Sequence, residues 1–595
     1  MKKLIAIACI LVCLSACKDD KQPAEIMSNI ETNKDFDKVL KAYHEDGLKL
    51  NPLTATAAGD NRYNDQLPNV LSEDYQKRLK AYYSSYKDKI NTFDDSVLTE
   101  SQQLSKAVLN WDCDINLEGF EFNEDLTPIN QMWTLQLSVG QLASGASSQP
   151  FKTVEDYNNW LKRLDGYLEW MNSAEEKMKE GIAVGHVLPK SLIVKVLPQL
   201  EALTTTNLDE HLFFTPVRNF PDNFSEEDKT KLTEAYEAKI KNEIIPAYTK
   251  LHQFMSTIYL DAGRESSGIS DTPKGEAYYD HQIKKYTTTN MTADEIHQLG
   301  LKEVARILSE MENVKQQVGY EGDLISFFDY VRNNKVLMPY ENADDVIDNF
   351  NKIHETMKPQ IEKLFDLKPK TPFEVRRTEA FREASASAEY NPGSLDGTRP
   401  GIFYTPVPDA SKYNVFSDEA LFLHEAIPGH HYQISLQQEN KQLPDFRKTL
   451  WYSAYGEGWA LYSESLGKEL GLYTDPYQYF GMLGMEMHRA IRLVVDTGIH
   501  TKGWSREKAI KYSLANEAES AASITSEIER YMANPGQALS YKIGQLKILE
   551  LRAKAEKALG DKFNVAQFHN QVLDSGCIPL ALLETKIDNW IASIE

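Results

Sequence analysis

The chain has few cysteines, fewer basic than acidic residues and, past its first residues, no long apolar run. Each shortage excludes something. Cys9, Cys13 and Cys17 fall in the first 17 residues, which leaves Cys113 and Cys577. Two cysteines make neither a disulfide framework nor a cysteine-rich metal site. Lys and Arg number 65 against 88 Asp and Glu, a net charge of −23. That balance argues against nucleic acid or an anionic membrane face as a partner. No later segment approaches the ~20 apolar residues of a membrane-spanning helix. Internal repeats and low-complexity tracts are absent, and so is the HExxH zinc motif.

What is present begins at the N-terminus. Residues 1–17, MKKLIAIACILVCLSAC, have a basic start and a short apolar run, the form of an export signal. Leu14-Ser15-Ala16-Cys17 resembles the bacterial lipobox. The resemblance implies cleavage before Cys17 and lipid on that residue. The expectation is an exported, outer-membrane-anchored lipoprotein, facing the periplasm or the cell surface. Residues 18–35 are polar and lack periodicity, so they read as a flexible tether. The Lys-Asp-Asp after Cys17 resembles a surface-export signal of Bacteroidetes lipoproteins.

From Phe36 onward helical patterns dominate. Thr153 with Asp156, and Thr292 with Glu295, have the spacing of helix-starting capping pairs, and apolar residues follow three and four apart. The pattern changes at Leu367. Phe373–Arg377, Ser385–Tyr390 and Gly401–Thr405 are short β-like runs between turns. The chain after the tether (36–595) therefore divides into a helical part, 36–366, and a part carrying the chemistry, 367–595.

That chemistry centres on Leu421–Gln433, LFLHEAIPGHHYQ. His424 and Glu425 are adjacent, as in HExxH, but Pro428 stands where the second histidine would be. His430 and His431 lie six and seven residues on, off the face of a straight helix. Sharing a metal with His424 thus requires a deformed helix. Pro428 breaks the hydrogen-bond ladder and Gly429 tolerates unusual backbone angles. A bulge at Ile427-Pro428-Gly429 would swing His430 back beside His424. Downstream, EGWALYSE supplies Glu457 and Glu464, seven apart on one face of a helix. Two histidines and a later glutamate form the His₂Glu set of a catalytic zinc site.

These pieces together resemble a known family. HEAIPGHHYQ fits HExxPGHxxQ; SLDGTRPGIFY, EGWALYSE, DTGIHTKGWS and PGQALSYKIG look like further blocks of the bacterial domain-of-unknown-function family eight-eight-five. That family is grouped with zincin-like metallopeptidases. More distantly the chain is similar to the carboxypeptidase Taq, thimet oligopeptidase and angiotensin-converting enzyme families. The resemblance implies a mainly α, zincin-like, two-lobed protein with a deep cleft and a small β-sheet beside the active-site helix. An edge strand of such a sheet can pair with an extended peptide.

The family pattern favours His430 over His431, so the implied ligands of one Zn²⁺ per chain are His424, His430 and Glu457. Glu464 then orients a ligand histidine. Glu425 is the general base that deprotonates the attacking water, and Tyr541 is the oxyanion donor. His431, Gln433, Arg399, Tyr404, His500 and Gln537 are candidates for supporting the ligands or touching substrate. The expected function is a zinc metallopeptidase of carboxypeptidase or oligopeptidase type acting on short peptides. Two alternatives stand beside it: an amidase for non-peptide amides, and a peptide-binding surface lipoprotein without turnover.

Overall fold

Helix takes 69% of the chain and strand 3%, so the core is made by helices packing on helices. The computed structural model describes residues 23–594 except 146, 380–382, 384, 385, 396 and 398. The export signal and Cys17 lie outside the described residues. Helix α1 (Pro23–Leu50) opens on a proline, where a missing N–H costs no hydrogen bond. It starts inside the expected tether, so the expectation for 18–35 is corrected from Pro23 on. The helix continues into Phe36, Leu40 and Tyr43, which are buried and tie it to the body of the protein.

Helices α2 (Val154–Val184), α3 (Lys190–Glu201) and α4 (Ala293–Gln317) follow. Both expected capping pairs form. Thr153 and Asp156, and Thr292 and Glu295, exchange side-chain and backbone hydrogen bonds at the starts of α2 and α4. The apolar faces build two cores. The smaller holds Tyr157, Trp160, Tyr167 and Trp170 of α2 and most of the apolar face of α3. The larger runs from Phe36 through α4 to Ile591. Residue 367 is not a packing boundary, because Phe350 meets Phe403 with ring centroids 5.0 Å apart.

Strands β1 (Phe373–Arg377), β2 (Glu389–Asn391) and β3 (Gly401–Thr405) form one sheet in the order β1-β3-β2. β1 runs parallel and β2 antiparallel to β3. The second strand starts at Glu389, later than the pattern predicts; Ser385 lies outside the described residues. β3 is the central strand, with Ile402 and Phe403 buried, so the edges belong to β1 and β2.

Six helices then carry the candidate site: α5 (Asp418–Glu425), α6 (His430–Glu439), α7 (Ser453–Ser465), α8 (Pro476–Thr501), α9 (Ala521–Ala533) and α10 (Ser540–Leu559). Cys113 and Cys577 are separate buried thiols. Among the described residues no helix is long and apolar enough to cross a membrane.

α7 and α10 cross at two glycines. A Cβ on Gly458 would lie 2.5 Å from the Gly544 Cα, and one on Gly544 would lie 1.8 Å from the Ala454 carbonyl oxygen. Backbone cannot yield as a flexible side chain does, so only glycine fits. Gly458→Ala is expected to destabilise the protein by about 1–3 kcal/mol through overpacking. Gly484→Ala on α8, whose Cβ would meet nothing within 4 Å, should instead be neutral or gain about 0.5–1 kcal/mol. Denaturant unfolding of the two variants checks the difference in sign.

Candidate metal centre

α5 ends at Glu425 and α6 begins at His430. The expected bulge within one helix is instead a complete break. Ala426 leaves helical geometry at φ −107°, ψ −106°, and the Ile427–Pro428 bond is cis. Gly429 folds back so tightly that a Cβ there would sit 2.0 Å from the His424 carbonyl oxygen. The break is braced from α7, where the Trp459 indole N–H donates to the Pro428 carbonyl at 2.8 Å.

This reversal brings the His424 and His430 rings to 4.8 Å between centroids, nearly perpendicular. Glu457 approaches from α7. Its Oε2 lies 3.7 Å from His424 Nε2 and 3.5 Å from His430 Nε2. One donor atom from each of the three side chains fits within 4.8 Å. Zinc binds nitrogen and oxygen at about 2.0–2.2 Å, so tetrahedral ligand atoms sit about 3.4 Å apart. The separations to Glu457 match that spacing and are too long for good hydrogen bonds.

Other buried atoms support the fit. His424 Nδ1 lies 2.7 Å from Glu464 Oε1, which holds that nitrogen as the donor and leaves Nε2 for a metal. Nδ1 of His430 and Oε1 of Gln433, one helical turn on, are both buried without a partner.

The charges also favour a cation. Burial alone disfavours a charged His424, but Glu457 and Glu464 outweigh it and raise its pKa to about 9. Burial raises the Glu457 pKa, yet the imidazoles of His430 and His424 pull it far below the carboxylate range. Glu425 is half-buried and its pKa is raised, first by burial; His424, His430 and Arg489 oppose that shift and Glu457 adds to it. No hydrogen bond or ion pair to another described residue engages the Glu425 carboxylate.

On α10, the Tyr541 ring lies under the Arg492 guanidinium at 4.5 Å. Gln537, just before α10, accepts from Arg530 at 2.6 Å. Burial, then the Glu457 charge, raises the Tyr541 pKa, so its hydroxyl stays a donor. The geometry therefore brings together His424, His430, Glu457 and Glu464, with Glu425 and Tyr541 under the influence of their charges.

The remaining candidates are not part of this cluster. His431 is not a fourth member of the cluster. Its Nδ1 lies 3.0 Å from the Tyr390 hydroxyl, its ring packs on Phe373, and burial lowers its pKa to about 4. It pins β1 and β2 to α6 as a neutral ring. Gln433 donates to Gln437 at 2.9 Å, and Gln437 holds the Arg447 and Leu450 carbonyls. His500 is fully buried, bonded to the Ile269 N–H and the Tyr531 carbonyl, so it closes a loop rather than touching substrate. Tyr404 lies on β3 beside Arg376, and Arg399 is exposed in the turn before β3. Sequence reasoning missed Arg489 and Arg492. Both stand in a segment whose motif signal was the nearby Asp496 and His500, and a lone arginine in a helix carries no signal of its own.

The model of the family described as "Bacterial protein of unknown function (DUF885)" matches residues 52–587. The chain belongs to this family. Solved structures similar to it include two described as lipoproteins. "The putative lipoprotein from Colwellia psychrerythraea" is 28% identical, with a TM-score of 0.86 over 94% of this chain and 99% of that one. A "putative lipoprotein of unknown function from Shewanella oneidensis" is 18% identical, with a TM-score of 0.72 over 92% and 99%. Its likeness is one of fold. No curated protein matches the chain.

Zinc supplied to the purified protein is expected to bind at one ion per chain. His430→Ala should abolish binding and His431→Ala should preserve it, by elemental analysis. Glu464→Gln should weaken zinc affinity about 10–100-fold. Because protons compete for His424, whose pKa is raised to about 9, apparent affinity should climb with pH toward that value. A pH-independent affinity, or zinc lost with His431 alone, would move the metal elsewhere.

Proposed function

We propose that this chain is a zinc-dependent hydrolase that cleaves amide bonds in short peptides. The observation that carries the reading is the combination at the α5–α6 break. Three donor atoms converge at metal spacing, and beside them stands a carboxylate, Glu425, with no hydrogen-bond or ion-pair partner among the described residues. A structural carboxylate at this depth would ordinarily be hydrogen-bonded or paired.

A zinc ion held by His424, His430 and Glu457 would polarise a substrate carbonyl and make water acidic enough, with a pKa near about 7, to be deprotonated at neutral pH. The chain's own groups do the rest. Glu425 accepts the proton of the attacking water and delivers it to the leaving amine. Its raised pKa suits both halves of that transfer. Glu464 keeps His424 in one tautomer. Tyr541, kept protonated by burial and the Glu457 charge, donates to the oxygen on which charge develops.

A cavity of about 640 Å³ opens between α3 and α9, lined by Gln131, Lys195, Ser526 and Glu529 among others. α3 lies largely on the smaller core and α9 on the larger. The two cores support the zincin-like, two-lobed reading, while the cavity itself is lined by none of the candidate metal-centre residues. The description of the Colwellia protein as a lipoprotein supports export and lipidation at Cys17, which would expose the enzyme to peptides outside the cytoplasm.

Glu425→Gln tests the assignment. The variant should keep its fold and its zinc but lose at least about 10²-fold in kcat on any peptide the native protein cleaves. Unchanged turnover in a zinc-replete variant would remove Glu425 from the reaction.

A further inference from the structure

α8 packs against both α5 and α10, and so against the helices that carry Glu425 and Tyr541. Along α8, Arg489 and Arg492 are one turn apart and share a face. The Arg492 side chain is 8% exposed, and its guanidinium lies 4.5 Å over the Tyr541 ring. Its Nε donates to the Tyr531 hydroxyl at 3.1 Å and its Nη2 to Glu527 at 3.0 Å. Its Nη1 is buried with no partner.

Arg489 is the more unusual of the two. Its only hydrogen bond among the described residues runs from Nη1 to the Met485 carbonyl on its own helix, at 3.2 Å. Its Nε is buried and unpartnered. Among the described residues it makes no ion pair with a carboxylate. In a chain with 88 acidic and 65 basic residues, a sheltered arginine without an acid is not explained by surface electrostatics.

The neighbouring acid is already shared. Glu527 pairs with Arg492 and with Arg530, and its Oε2 lies 3.5 Å from His488 Nε2. The α8 face beside the metal centre therefore has more positive charge than its own carboxylates balance. Leaving a guanidinium nitrogen dry and unpaired is costly. A planar fork with free N–H groups is the arrangement that binds a carboxylate through two parallel hydrogen bonds.

We propose that Arg489, with Nη1 of Arg492, binds a carboxylate of the substrate close to the amide bond that is cut. This deepens the hydrolase reading and rests on it for the identity of the cut bond. The carboxylate is either the free C-terminus of the peptide or an acidic side chain. The first makes the enzyme one that trims residues from peptide C-termini. The second makes it one selective for acidic residues.

Binding can be measured apart from turnover with three probes on the zinc-loaded Glu425→Gln protein: trialanine, trialanine amide and Ala-Ala-Glu-amide. Calorimetry should show trialanine, Ala-Ala-Glu-amide or both bound at least ~10-fold more tightly than trialanine amide, the scale of one charge-assisted pair. Which of the two is preferred assigns the carboxylate to the C-terminus or to a side chain. Adding Arg489→Gln should erase the preference, and Arg489→Lys should restore part of it, with zinc content unchanged in both. Equal binding of all three probes, no binding by any of them, or a preference that survives Arg489→Gln would overturn the proposal. Hydrolysis by the native protein separates the two readings. All three probes cleaved alike would keep the hydrolase and remove the carboxylate site. A carboxylate preference without cleavage of any peptide would do the reverse.

Discussion

The centre depends on one close approach of backbone to backbone. Gly429 lies against the last carbonyls of α5, where any side chain would collide with the His424 and Leu423 oxygens. Without that contact the chain could not turn within four residues, and His430 would face away from His424. The rest of the architecture holds the turn in place. α7 does most of this, because a single helix presents Glu457 to both imidazoles, the Trp459 indole to Pro428, and Glu464 to the far side of His424. Its own position is set where Gly458 meets Gly544 of α10. The same crossing brings Tyr541 within the influence of Glu457. Two places of glycine-to-backbone contact thus fix four helices relative to one another.

Much of this was legible in the sequence. The reason is that the candidate donor residues leave local marks: His424 and His430 sit within seven residues, and Glu457 shares a helix with Glu464. Capping residues are equally local, so Thr153 and Thr292 marked helix starts correctly. Two of the three strands matched their expected bounds, because Phe373–Arg377 and Gly401–Thr405 are short β-like runs bounded by turn residues. Contacts decided at long range were not legible. A polar side chain in a helix, such as His431 or His500, looks the same in sequence whether it meets substrate or a distant group. Their partners, Tyr390 and the backbone of Ile269 and Tyr531, are set by packing. The helix α1 hid in a polar segment because its anchoring residues, Phe36 and Leu40, lie beyond the stretch that was read as a tether.

The distribution of charge across the centre gives the strongest constraint on what it does. Around the two imidazoles stand Glu425, Glu457 and Glu464, more negative charge than neutral histidines can balance at this depth. The site answers by pulling protons onto His424, so it is built to hold positive charge, and a divalent cation satisfies the same demand without consuming the Nε2 lone pairs. On the face of α8, which packs against α5 and α10, the imbalance reverses: Arg489, Arg492 and Arg530 have essentially one carboxylate, Glu527, between them. A protein could neutralise both imbalances by letting the acids meet the arginines. Here α5, α8 and α10 keep Glu425 and Arg489 unbonded, although the Arg489 charge acts on Glu425. Keeping two such groups apart costs stability, and that cost makes sense if something bridges them when the site is in use. A peptide meets the requirement, with its scissile carbonyl toward the cation site and Glu425, and a carboxylate toward the guanidinium groups. Neither half alone specifies an amide hydrolase. An unpaired base beside a cation nest, with an unpaired guanidinium facing it from the next helix, is an arrangement that a purely structural role leaves unexplained.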